Sequence, residues 1–153
     1  MAHEPDWYNI SLKVFLKNDK GEILALKAVA DSTLAGFYDF PGGRIGQSEF
    51  ETDYTEIIRR ELQEELGANA KFEFNLKPVA FGRHHYFSKR QNKEVRAFWL
   101  VFEGKYLGGE IKISPEHTGF AWLDFSNIKA EDYFVSAPLE AVKRYLELQS
   151  QEE

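Results

Sequence analysis

Three glutamates crowd a little over one turn of the chain. Glu61, Glu64 and Glu65 stand at i, i+3 and i+4, the two spacings at which like charges meet and repel on a helix. At ~100° per residue, Glu64 falls about 60° to one side of Glu61 and Glu65 about 40° to the other. The three share one arc, which borders the apolar arc of Ile58, Leu62 and Leu66. A divalent cation reverses the sign of the repulsion, and Mg²⁺ takes a few carboxylates together with water and substrate phosphate. Glutamate is also a good helix former, and a cluster of this kind is commonly a solvated face. The residues ahead of the helix shift the balance. Pro41-Gly42-Gly43 leaves the backbone free to approach a ligand closely, and Arg60 adjoins the cluster, where a guanidinium holds a carboxylate in place.

The elements that must carry these groups follow from periodicity. Tyr8–Lys17 alternates as a half-buried strand, Asn18–Gly21 is a turn signal, and Glu22–Val29 resumes the strand pattern, which predicts a hairpin. Phe37–Phe40 reads as a short aromatic strand closed by Pro41-Gly42-Gly43. A helix is expected over Phe50–Leu66, with Gly67 as its stop. Strand patterns return at Val79–Phe87, Val95–Glu103 and Phe120–Leu123, and Pro138–Leu148 reads as a closing amphipathic helix, followed by a frayed polar tail at Gln149–Glu153. Strands with one central and one terminal helix predict an α/β sandwich.

Composition bounds the rest. The 153 residues, 43% hydrophobic and 29% charged, suit a single domain over 1–153 with one core. A net charge of −6 disfavours nucleic acid and anionic membranes as partners. The absence of cysteine excludes disulfides, zinc–thiolate sites and thiol catalysis. Met1–Asp6 has neither the basic nor the apolar region of a secretory signal, and the longest apolar run, Ala97–Phe102, is too short to span a bilayer. These features predict a cytoplasmic protein.

Gly43, Glu49 and the block Arg60-Glu61-Leu62-Gln63-Glu64-Glu65-Leu66-Gly67-Ala68 resemble the Nudix box, G-x5-E-x7-R-E-U-x-E-E-x-G-U, with U a bulky aliphatic. Ten residues separate Glu49 from Arg60 where the pattern has seven, so a three-residue insertion lies around Phe50–Thr55, expected in the loop or first turn before the helix. The last aliphatic position is Ala68. Phe37–Gly43 resembles the family's strand entering the box, and Ser114–His117 with Phe120–Leu123 resembles a late segment of many members.

The resemblance implies an α/β/α sandwich with a mixed central sheet, and hydrolysis of a nucleoside diphosphate linked to another group. It implies Mg²⁺ or Mn²⁺ held by Glu61, Glu64 and Glu65, with Glu64 and Glu65 the core pair, the Gly43 carbonyl an additional ligand, and Arg60 orienting a carboxylate of the box. The general base comes from the box helix, at Glu61 or Glu64, or from a later loop, where Glu116 is the candidate. Arg44 and Lys27 are candidate phosphate contacts. His84 and His85 are neighbours on a strand, so at most one faces the site, and surface or core positions are preferred for both. Phe37, Tyr86 or Phe87 can sandwich a nucleobase. Tyr86 lies eighteen residues after Ala68, near the tyrosine that marks some dinucleoside polyphosphate hydrolases. The expected partner is a small-molecule nucleotide, with a nucleoside triphosphate or dinucleoside polyphosphate favoured, and a homodimer remains open. The alternatives are an ADP-ribose or nucleotide-sugar pyrophosphatase and a nucleotide-binding module without catalysis.

Overall fold

A computed structural model describes residues 3–152. Its elements in chain order are β1 (Asn9–Lys17), β2 (Ile23–Ala28), β3 (Tyr38–Asp39), β4 (Gly42–Arg44), α1 (Tyr54–Leu66), β5 (Lys71–Ser88), β6 (Lys93–Gly108), β7 (His117–Leu123) and α2 (Ser136–Glu152). The sheet runs β3-β2-β1-β6-β5, with β4 added to β1 and β7 to β2. β1 and β6 are parallel and the other pairs antiparallel, so the sheet is mixed.

Each face of the sheet takes one helix. Leu12, Val14 and Leu16 of β1 pack with Leu24 and Leu26 against Ile57, Ile58, Leu62 and Leu66 of α1. On the other face Phe15, Ala97, Trp99 and Val101 pack against Ala137, Ala141, Val142 and Tyr145 of α2. Phe40 locks the segment ahead of β4 into that second core, with its ring 4.7 Å from Phe15 and 5.0 Å from Phe134. β1 is therefore buried on both faces, which α/β/α layering requires and alternation alone does not reveal.

The structure departs from the sequence-based reading in several places, the first being that the helix expected from Phe50 begins at Tyr54. β1 and β2 turn at Asn18–Gly21 but pair only at Lys17↔Ile23. They then diverge, because β1 is claimed by β4 and β6, and β2 by β3 and β7. Gly42–Arg44 is a strand rather than a plain loop. β5 and β6 run well past the apolar cores expected for them, since their polar ends pair with one another through irregularities around Pro78. The tail is not frayed through Glu152, where α2 continues. Met1, Ala2 and Glu153, which figured in the reading of the termini, lie outside the described residues.

Candidate active site

The site is built where β4 lies between β1 and α1. β4 runs antiparallel to β1 with Lys13 opposite Gly42 and Leu12 opposite Gly43. Gly42 adopts φ +128°, and a Cβ there would stand 2.1 Å from the Leu12 carbonyl oxygen. Only glycine meets both conditions. At Gly43 a Cβ would stand 2.4 Å from the Glu61 carboxylate. The missing side chain of Gly43 is the seat of that carboxylate.

α1 starts at Asp53, whose carboxylate accepts from the Thr55 amide at 2.8 Å, and stops at Gly67. The extra residues around Phe50–Thr55 fall in the loop and first turn, and the helix is continuous from Tyr54 to Leu66. Packing of Ile58, Leu62 and Leu66 into the sheet fixes the rotation of α1 and spreads the three glutamates from inside to outside. Glu65 is buried at 5% exposure and accepts from the Gly42 amide at 3.2 Å. Burial pushes its carboxyl up to about 8, against the pull of the Lys13 ammonium. Glu61 is also raised, first by burial, with repulsion from Glu64 adding and Arg60 opposing. The Glu64 side chain is 58% exposed.

Arg60 ties the outer carboxylates together. It donates through Nη2 to Glu49 Oε2 at 2.8 Å, and through Nη1 to Glu61 at 3.0 Å and Glu64 at 3.4 Å. Glu49 also accepts from the Gly46 amide at 2.8 Å, and these two donors hold it below the ordinary carboxylate range.

A cavity of about 1240 Å³ opens over this corner. Ser11, Lys13, Ala97 and Trp99 line it from the sheet, Gly43, Arg44, Glu61 and Glu65 from β4 and α1, Glu116 from the turn before β7 and His117 from its start. His84 and Tyr86 of β5 join them, with Lys89 and Arg90 from the β5–β6 turn. Lys13 is 7% exposed, yet its Nζ is fully engaged. It donates to the Phe40 carbonyl at 3.1 Å and the Gly42 carbonyl at 3.2 Å, pairs with Asp39 at 3.4 Å, and lies 4.6 Å from the Trp99 ring centroid.

The cavity thus gathers Gly43, Arg44, Glu61, Glu65, Tyr86 and Glu116 from the expected set. Arg60 and Glu64 stand outside its lining, joined to it by the ion pairs of Arg60. Lys27 does not belong with them. It is exposed on β2, opposite Tyr38 and Gly119, on a strand the cavity does not reach. His84 corrects the preference for surface or core, since it lines the cavity, whereas His85 turns away to Glu94 at 2.6 Å. Tyr86 is less free than a stacking platform requires. Its ring stacks on His84 with centroids 5.5 Å apart and receives the Arg44 guanidinium at 5.5 Å. Phe87 lines the cavity and Phe37 does not. Lys13, Asp39, Trp99 and His117 were not anticipated. The available signal was Lys13 sharing a strand face with Phe15, a face that two-sided burial turns inward.

The donor set suits a hard cation. Two desolvated carboxylates, Glu61 and Glu65, share the cavity with the Gly43 backbone, and burial leaves both deprived of water. Among the described residues no three carboxylate or imidazole groups converge on one point. The fit lies in the chemistry of the donors.

The chain is thus a three-layer sandwich with an acidic helix beside a polar cleft. The family model described as NUDIX domain matches residues 7–145, so the chain belongs to the NUDIX family, and its class is that of a pyrophosphohydrolase. Among solved structures it is similar to a MutT protein from Methanosarcina mazei Go1, with TM-score 0.71 and 22% identity over 95% of this chain and 96% of that one. It is similar also to an ADP-ribose pyrophosphatase from Streptococcus suis 89-1591, with TM-score 0.61 and 16% identity over 95% and 92%. A UDP-X diphosphatase gives TM-score 0.62 and 16% identity over 99% of this chain and 67% of that one. At these identities the likeness is one of fold. A comparison with curated protein sequences finds no match. Among the described residues no helix is long and apolar enough to cross a membrane.

Proposed function

We propose that the cleft hydrolyses a phosphoanhydride bond of a soluble nucleotide, a nucleoside triphosphate or a dinucleoside polyphosphate. The carrying observation is the Glu61 carboxylate seated on Gly43 beside the buried Glu65, inside a cavity that also presents Arg44, Lys89 and Arg90. In this reading Glu61, Glu64, Glu65 and the Gly43 carbonyl hold Mg²⁺ or Mn²⁺. Such an ion neutralises phosphate charge and lowers the pKa of bound water.

The chain's own residues supply the rest. Arg44 and the basic turn at Lys89–Arg90 take phosphate oxygens, and Arg60 keeps Glu49 and Glu61 oriented through its three ion pairs. Glu116 accepts the proton of the attacking water, leaving Glu61 and Glu65 free for the cation.

The test is a panel of nucleoside triphosphates, dinucleoside polyphosphates, ADP-ribose and nucleotide sugars with Mg²⁺ or Mn²⁺. Released phosphate is read with and without added phosphatase. Turnover of the polyphosphates that Glu64→Gln abolishes supports the reading. ADP-ribose or a nucleotide sugar better by tenfold in kcat/KM than every polyphosphate moves the substrate elsewhere. Activity of Glu64→Gln within a few-fold of the unmodified protein removes Glu64 from the metal set.

A further inference from the structure

One wall of the cleft is chemically unlike the carboxylates of α1. Asp39 of β3, His84 of β5 and His117 of β7 line it together. Asp39 Oδ1 is committed, accepting from the Phe40 amide at 2.7 Å and from Lys13 Nζ at 3.4 Å. Its Oδ2 accepts no hydrogen bond among the described residues. The imidazoles are equally uncommitted. Among the described residues, His84 Nδ1, His117 Nδ1 and the Tyr86 hydroxyl are enclosed without a partner, which leaves the Nε2 side of each imidazole to meet a ligand. His84 Nε2 has only a long contact, 3.4 Å, to Thr33 Oγ1. Burial pushes both imidazoles below their ordinary range, with the nearby Asp39 carboxylate working against it. At neutral pH each is an uncharged ring with one N–H and one lone pair.

This combination is wrong for phosphate. Phosphate oxygens only accept, and a carboxylate with a bare oxygen repels them. It is right for a planar, uncharged heterocycle that carries donors and acceptors side by side. The strictest requirement comes from Asp39 Oδ2, because a ligand atom facing it must bring a hydrogen. A ring nitrogen with a lone pair there leaves the carboxylate unsatisfied, and sites built around hydrogen-bonding groups discriminate strongly on such a mismatch.

We propose that Asp39, His84 and His117 read the base of the nucleotide, and that Asp39 selects bases with a ring N–H on their pairing edge. Guanine and uracil offer that N–H next to a carbonyl oxygen, which suits a carboxylate beside an imidazole N–H. Adenine and cytosine present the reverse, a ring lone pair next to an amino group. Asp39 is thus a specificity-determining residue, joined to the Gly42 carbonyl beside Glu65 through Lys13 but with Oδ2 left to a ligand. The inference rests on the polyphosphate reading above, since it needs a nucleotide in the cleft.

The test uses two size-matched pairs, GTP with ATP and UTP with CTP, as substrates of the full chain with Mn²⁺. Binding of GMP and AMP without metal is followed by calorimetry, which is independent of turnover. The expected result is a kcat/KM preference of roughly tenfold or more for GTP over ATP and for UTP over CTP, with the same order in metal-free binding. Asp39→Asn retains an oxygen for the Phe40 amide and Lys13 but turns a donor outward, so both preferences should fall at least tenfold. His84→Leu leaves the Asp39 contacts intact and should lower the GTP preference without abolishing hydrolysis. Similar kcat/KM for all four nucleotides overturns the assignment while the polyphosphate reading stands. So does an Asp39→Asn protein that keeps the original ratios. Failure to bind or hydrolyse any nucleotide overturns the polyphosphate reading itself, and the assignment with it.

Discussion

Replacing Glu65 by glutamine separates two demands made on one carboxylate. Burial raises this group from the ordinary 4.5 to about 8, so the folded chain holds its proton more tightly than the unfolded chain does. Stability from the protonated form is complete below 4.5 and is lost as pH rises towards 8. At pH 7 the unfolded carboxyl is ionised while the folded one is still largely protonated. About 2.5 pH units of that mismatch correspond to about 3 kcal/mol of lost stability at about 1.36 kcal/mol per unit. Glu61, raised mainly by burial, adds in the same direction. Glutamine keeps an acceptor for the Gly42 amide, which now stands 3.2 Å from Glu65, and carries no charge to desolvate. In EDTA at pH 7, Glu65→Gln should therefore melt roughly 6–12 °C above the unmodified protein, at about 2–4 °C per kcal/mol for a chain of this size. The gap should close below pH 4.5, where the unmodified carboxyl is protonated in both states. Added Mn²⁺ should raise the melting temperature of the unmodified protein and move the variant much less, and the variant should lose turnover. Calorimetric melts at several pH values with EDTA are the assay. No gap at pH 7, or a gap that does not change with pH, refutes the reasoning.

The two glycines of β4 should respond differently to alanine. Gly43→Ala meets the mobile end of Glu61, so stability should hold within about 1 kcal/mol while turnover falls by roughly 100-fold from the displaced carboxylate. Gly42→Ala meets backbone at a left-handed φ and should cost about 3 kcal/mol or leave no folded protein, as thermal melts of the two variants will show. Arg60→Met should change stability by less than about 1 kcal/mol, because its ion pairs are partly exposed, yet lower Mn²⁺-dependent kcat by about tenfold or more. An unchanged kcat there would remove its orienting role. Glu116→Gln should lower kcat with a much smaller change in Mn²⁺ affinity. If it is silent and Glu61→Gln shifts the pH–rate profile, the base sits on α1.

What the sequence determines by itself is local. The i, i+3 and i+4 spacing of Glu61, Glu64 and Glu65, the apolar period of Ile58, Leu62 and Leu66, and the stop at Gly67 all follow from helix geometry within one segment. The block from Arg60 to Ala68 and the match over Gly43 to Glu49 make the family legible for the same reason, since the pattern is held in adjacent residues. The tertiary structure decides which members of a local pattern are buried and which stay at the surface. The docking of α1 on Leu12, Val14 and Leu16 turns Glu65 inward and Glu64 outward, a choice of about 100° that their adjacency leaves undetermined. Alternation allows one of His84 and His85 into the cleft, and the pairing of His84 with Ala97 and His85 with Arg96 on β6 chooses which. Lys13 shows the same limit most sharply. On a strand covered on one face, its position would point to solvent. The second layer over that face buries its ammonium against the Phe40 and Gly42 carbonyls, because inside and outside are properties of the neighbouring layers and not of the strand.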